Sequence, residues 1–103
     1  MNIIICEPNV PPYIKKISGK YEDLQNIIGE NIKVLALNNP SIVIMCNQDI
    51  YVNKPIDDSC RLNIPGTFVF LGRDNDHLRS LSNEEVNEII YTIRKEDLTL
   101  VQL

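Results

Sequence analysis

Seven polar side chains, Asn47, Gln48, Asn53, Lys54, Arg61, Asn63 and Arg73, fall at expected strand ends or in loops. Amides can hydrogen-bond a nucleobase or ribose, and Lys and Arg can hold phosphate, so the set has the composition of a nucleotide-binding rim. The remaining candidates for chemistry are scattered. Cys60 is the one cysteine in a polar segment; as a nucleophile it would need a base, and His77 is the sole histidine. His77 itself has no nucleophile close to it in sequence. Asp57 and Asp58 are adjacent, so in an extended segment their carboxylates diverge and read as solvated surface rather than a proton-sharing pair. Asp74-Asn75-Asp76 superficially matches the opening of a calcium loop, but the glycine and terminal glutamate that close such a loop do not follow at the right spacing. Cys6 and Cys46 sit in apolar runs, are far apart in the chain and form no Cys-x-x-Cys pair, which makes them core thiols. No Gly-rich phosphate loop, His-Glu-x-x-His helix or Gly-x-Ser-x-Gly elbow is present. The expectation is a binding protein that is not an enzyme and needs no cofactor or metal.

The elements that must carry these residues belong to one domain spanning 1–103. A chain of 103 residues with 44% apolar and 23% charged residues can bury one core without disulfide or metal staples. Its net charge of -4 argues against general nucleic-acid binding, which depends on cations that displace counterions from phosphates. A small phosphate-bearing ligand remains compatible, because a few local donors suffice for it. The apolar run Ile3-Ile4-Ile5-Cys6 is too short for a secretory signal and lacks a basic leader, so it reads as a strand. No segment approaches the roughly 20 apolar residues of a membrane span. The expected setting is the cytoplasm, without membrane contact.

The run 3–7 is the first strand, ended by Pro8, Pro11 and Pro12. Residues 13–17 alternate as a more exposed second strand, which suggests a hairpin. Tyr21, Leu24, Ile27 and Ile28 recur at helical spacing, and Gly29 stands where a C-cap glycine belongs. Residues 31–37 resume a strand pattern, and Ile42-Val43-Ile44-Met45-Cys46, the most apolar run, is expected at the centre of the sheet. Asn47-Gln48-Asp49 is expected to turn the chain into a partner strand at Ile50-Tyr51-Val52. A long polar loop, 53–65, precedes a strand at 67–71 bounded by Gly66 and Gly72. Ser82 and Glu85 have capping-box spacing, with Leu81 and Val86 placed for a hydrophobic staple, and Val86, Ile89, Ile90 and Ile93 form one apolar helix face. The tail 98–103 is a short strand able to join a sheet or another subunit. Without regular βαβ spacing the class is α+β: a small, mostly antiparallel sheet with two helices packed on it.

Taken in order, several features resemble one family. They are Glu7-Pro8 after the first strand, Leu24-Gln25-Asn26-Ile27-Ile28-Gly29, Asn47 after the central strand, Ile64-Pro65-Gly66-Thr67-Phe68-Val69, and Ser80-Leu81-Ser82-Asn83-Glu84-Glu85. This series, over about residues 1–90, resembles the DUF3846 family, small domains of unknown function found in phages, plasmids and their bacterial hosts. The chain departs from the family pattern at Glu30, where a second glycine often follows the helix, and at Gln48, where an acidic residue often follows the strand-end asparagine. The resemblance supplies no catalytic residue. It implies a mobile-element setting, in which small acidic proteins often bind and block host defence components. Two functions follow as expectations. The first is a homo-oligomeric sponge for a nucleotide-derived immune signal, with an intersubunit pocket at Asn47, Asn53, Arg61 and Arg73. The alternative is an acidic protein inhibitor of a host defence nuclease.

Overall fold

The computed structural model describes residues 1–37, 39–52, 64, 66–75, 77–95 and 100–101. Its elements, in chain order, are β1 (Asn2–Cys6), β2 (Tyr13–Lys16), α1 (Tyr21–Ile28), β3 (Ile32–Leu37), β4 (Ile42–Asn47), α2 (Gln48–Val52), β5 (Phe68–Asp74), β6 (His77–Arg79), α3 (Asn83–Lys95) and β7 (Leu100–Val101). All the strand pairs are antiparallel, in the order β2-β1-β5-β4-β3-β7, with β6 also paired to β5. The α+β class and the antiparallel sheet follow the sequence expectation.

Both faces of this sheet are covered. Ile4, Ile44 and Phe70 belong to a cluster with Val86 and Ile89 of α3, while Ile3, Val43, Met45 and Val69 belong to a second cluster with Leu24 and Ile28 of α1. That explains why β1 and β4 read as continuous apolar runs: alternate side chains enter different cores, so neither parity can be polar. The α3 start has the anticipated cap. Glu85 N–H donates to Ser82 Oγ at 3.1 Å, and Ser82 N–H donates to Glu85 Oε1 at 2.9 Å. Leu81 and Val86, the two residues of the staple, are both buried.

The structure departs from the sequence expectation in three places. Residues expected as a partner strand after Asn47 instead form α2. The cause is local: Asn47 Oδ1 accepts the N–H groups of Asp49 at 2.9 Å and Ile50 at 3.3 Å, an N-cap that starts a helical turn despite the β-branched residues that follow. Gly72 was expected to bound β5, but it lies within the strand, paired with Ile42 on one side and Arg79 on the other. Asp74 and Asn75 lead into a hairpin that the sequence reading missed; Asn75 takes φ 55, and β6 returns along β5 from His77. The tail does form the strand β7, which pairs with β3 in the same sheet. Among the described residues, no helix is long and apolar enough to cross a membrane.

Candidate functional site

Of the residues expected to form a nucleotide rim, Asn47 and Arg73 do not share one place within a chain. Asn47 closes β4 one residue beyond the Cys46–Phe68 pair, whereas Arg73 stands beyond the Ile42–Gly72 pair at the opposite end of the sheet. At about 3.3 Å per residue the two are about 20 Å apart. Asn47 is committed to the fold. Besides capping α2, its Nδ2 donates to the Ile28 carbonyl at 3.1 Å, tying the end of α1 to the end of β4. Gly29 permits that approach, since a Cβ there would stand 2.5 Å from Asn47 Nδ2 on a backbone at φ 135. Gln48 has an exposed side chain, and its N–H donates to the Asn31 carbonyl at 2.8 Å. Arg73 is half-buried, with its N–H on the Ser41 carbonyl at 2.8 Å. Asn53, Lys54, Arg61 and Asn63 lie outside the described residues, as do Asp57, Asp58 and Cys60.

Polar chemistry at the Arg73 end is concentrated on Arg79, which the sequence reading passed over. Its guanidinium donates from Nη1 and Nη2 to both oxygens of Glu85 at 2.7 and 2.8 Å, and from Nε to Asp74 Oδ1 at 3.0 Å. Two carbonyls, Ser80 at 3.0 Å and Ser41 at 3.3 Å, accept further bonds. The Arg79 hydrogen bond holds the Glu85 carboxyl at about 2, below the usual carboxylate range, against the opposing effect of desolvation. The side chain crosses directly over Gly72, where a Cβ would lie 2.5 Å from Nη1 and 2.8 Å from Cγ. Every face of the guanidinium is therefore spent on joining β5, β6 and α3. The two described cysteines are equally committed: burial pushes the Cys6 thiol up to about 12 and the Cys46 thiol up to about 11, so both stay protonated at neutral pH. His77 is exposed in β6 and pairs in register with Asp74.

An open concavity among the described residues lies elsewhere, between the end of β2 and α1. It has a volume of about 330 Å³ and is lined by Lys15, Lys16, Ile17, Ser18, Asp23, Asn26 and Ile27. This is at the lower end of the range of small-molecule sites. Ile17 and Ile27 are half-buried against the α1-side core and supply an apolar floor. Lys15 pairs with Ile3, whose side chain enters the α1-side core, so the register puts Lys15 on the cleft side of the sheet. Ser18 fixes one wall: its N–H and Oγ both donate to Asp23 Oδ2, and its Oγ accepts Lys20 N–H at 3.4 Å. This ties the β2–α1 turn to the first turn of the helix, in place of a side-chain cap at Lys20. One turn further, Asn26 is exposed. An ammonium, an amide and an apolar floor thus face one opening.

A family model described as "Domain of unknown function (DUF3846)" matches residues 1–94. The chain belongs to this family. No curated protein and no solved structure matches it. The match spans all of the cleft, the Asn47 cap and the Arg79 clamp, so each of these features lies within the DUF3846 domain. In sequence, the cleft residues had appeared only as an alternating strand, a turn and a helix. What was missing was the register that lays β2 beside β1 and brings Lys15 to the same side as α1.

Proposed function

We propose that the protein is a counter-defence binding protein of phage or mobile-element type, which sequesters a nucleotide-derived immune signalling molecule in the host cytoplasm without cleaving it. The observation that carries this reading is the β2–α1 cleft, where Lys15 and Asn26 stand over Ile17 and Ile27 on a chain of net charge -4. In such a site an ammonium holds phosphate, an amide reads a base or ribose edge, and the isoleucines cover the apolar face of the ligand. The deeply protonated thiols of Cys6 and Cys46 and the fully occupied guanidinium of Arg79 further favour retention over turnover.

The test is to incubate the protein with lysate from bacteria whose nucleotide-signalling defence is active, wash it, denature it and analyse what it releases by mass spectrometry. The expected result is a stoichiometric, intact nucleotide-derived molecule that is absent from a Lys15→Glu sample. Release of a cleaved product would contradict sequestration. An empty protein would transfer the assignment to the other reading, an acidic inhibitor of a host defence nuclease that imitates phosphate charge.

A further inference from the structure

Among the described residues no strand pairs with the outer edge of β2, beside this cleft, and the hydrogen-bond phase of that edge can be read from β1. Met1 and Ile17 exchange both backbone bonds, Met1 nitrogen to the Ile17 carbonyl at 2.8 Å and Ile17 N–H to the Met1 carbonyl at 2.8 Å. In an antiparallel pair such bonded pairs alternate with unbonded ones, so Tyr13 and Lys15 also face β1. The backbone groups of Ile14 and Lys16 therefore point away from β1, toward the edge, and by the same alternation so does the Pro12 carbonyl. Among the described residues β2 is the last strand on this side, and all of its residues are exposed, Ile14 by 53%.

We infer that β2 pairs antiparallel with β2 of a second copy about an axis through Ile14, which joins the two sheets and brings the partner copy's Tyr13 against Lys15 at the mouth of the cleft. Charge and bonding select this register over its neighbours. A shift toward the C-terminal end sets Lys15 against Lys15 or Lys16 against Lys16, and like charges directly opposite are destabilising. A shift toward the N-terminal end opposes each Ile14 to a Pro12, which has no N–H to give, and so loses the mutual Ile14 pair in which both bonds are made. Centred on Ile14, the two Ile14 residues exchange both of their bonds, and each Lys16 N–H reaches a Pro12 carbonyl. Each Lys15 then faces a Tyr13 ring across an unbonded pair, with Cα atoms about 4.5 Å apart, close enough for a cation to lie on the aromatic face. The pairing stands on the backbone geometry and side-chain charges of β2; only the joint cleft, in which the partner's aromatic ring covers the ligand, rests on the proposed function.

The test needs no ligand. Sedimentation of the wild-type protein, at concentrations up to about 1 mM so that weak association is seen, is expected to reach twice the 11.8 kDa of the chain. Residue-resolved hydrogen exchange should show the Ile14 and Lys16 amides becoming at least tenfold more protected as concentration rises. Ile14→Lys, at a half-exposed side chain outside both core clusters, should leave thermal unfolding unchanged at concentrations where the wild type is monomeric, while abolishing the dimer and that protection. A wild-type chain that stays monomeric throughout, or a dimer whose Ile14 and Lys16 amides exchange freely, would overturn the pairing. Neither result bears on ligand release from the protein, which is measured separately.

Discussion

Arg79 and Lys15 are both cations near a sheet edge, yet they stand in opposite circumstances. Arg79 is surrounded by acceptors from β5, the β6–α3 link, α3 and the segment before β4, and its neighbour Gly72 has no side chain to obstruct it. Lys15 is exposed on a four-residue strand and, among the described residues, belongs to neither core cluster; it lies beside a cleft open to solvent. The difference separates polar groups that hold the fold together from polar groups that are available to a ligand. Residue type alone does not make that distinction, since an arginine beside two acids and a lysine in an alternating strand look equally promising in a sequence.

The comparison breaks most visibly at Gly72. Gly72→Ala would push a methyl group into Arg79 Nη1, Cγ and Cζ, and because Cγ is part of the stem the whole side chain must leave its bonds. A loss of about 3 kcal/mol is expected in urea unfolding. Glu85→Gln comes next: it removes the charge from the paired bonds but leaves an amide oxygen able to cap α3, so a loss of about 1–2 kcal/mol is expected. The same carboxylate sets a pH dependence. Its value in the folded protein is about 2 and its ordinary value is 4.5, so its contribution is complete above 4.5 and is lost as pH falls toward 2. Unfolding free energy should therefore rise with pH across that window, and the rise should be shallower in Glu85→Gln. Asn47→Ala, which uncaps α2 and releases the Ile28 carbonyl, should cost about 1 kcal/mol, measured the same way. At the small end, Lys15→Ala should change stability by less than about 0.5 kcal/mol while weakening ligand retention by about tenfold or more, consistent with one lost charge-assisted bond.

The parts of the fold that were legible in sequence were those decided locally. The Ser82–Glu85 box, the Leu81–Val86 staple and the Gly29 cap each lie within a few residues, and the apolar runs of β1 and β4 announced strands buried on both faces. Residues 50–52 misled because their β-branched content argues for a strand, while one asparagine oxygen two residues before Asp49 decides for a helix. The Arg79 clamp was invisible because it depends on hairpin register: Gly72, Asp74 and Arg79 meet only after β6 folds back on β5, and Glu85 joins them only when α3 has docked. The candidate cleft was hidden for a similar reason. Lys15 and Asn26 are eleven positions apart, on a strand and a helix, and nothing in their local sequence marks them as neighbours.

The most direct test of that division of labour is to titrate the ¹⁵N-labelled protein with a panel of cyclic dinucleotides and ADP-ribose derivatives and map the amide shifts. At least one compound is expected to bind with perturbations centred on residues 15–18 and 23–27, and with little change at Asn47 or Arg79. Shifts centred on either of those two residues, or no binding by any compound in the panel, would contradict the assignment of the β2–α1 cleft as the ligand site.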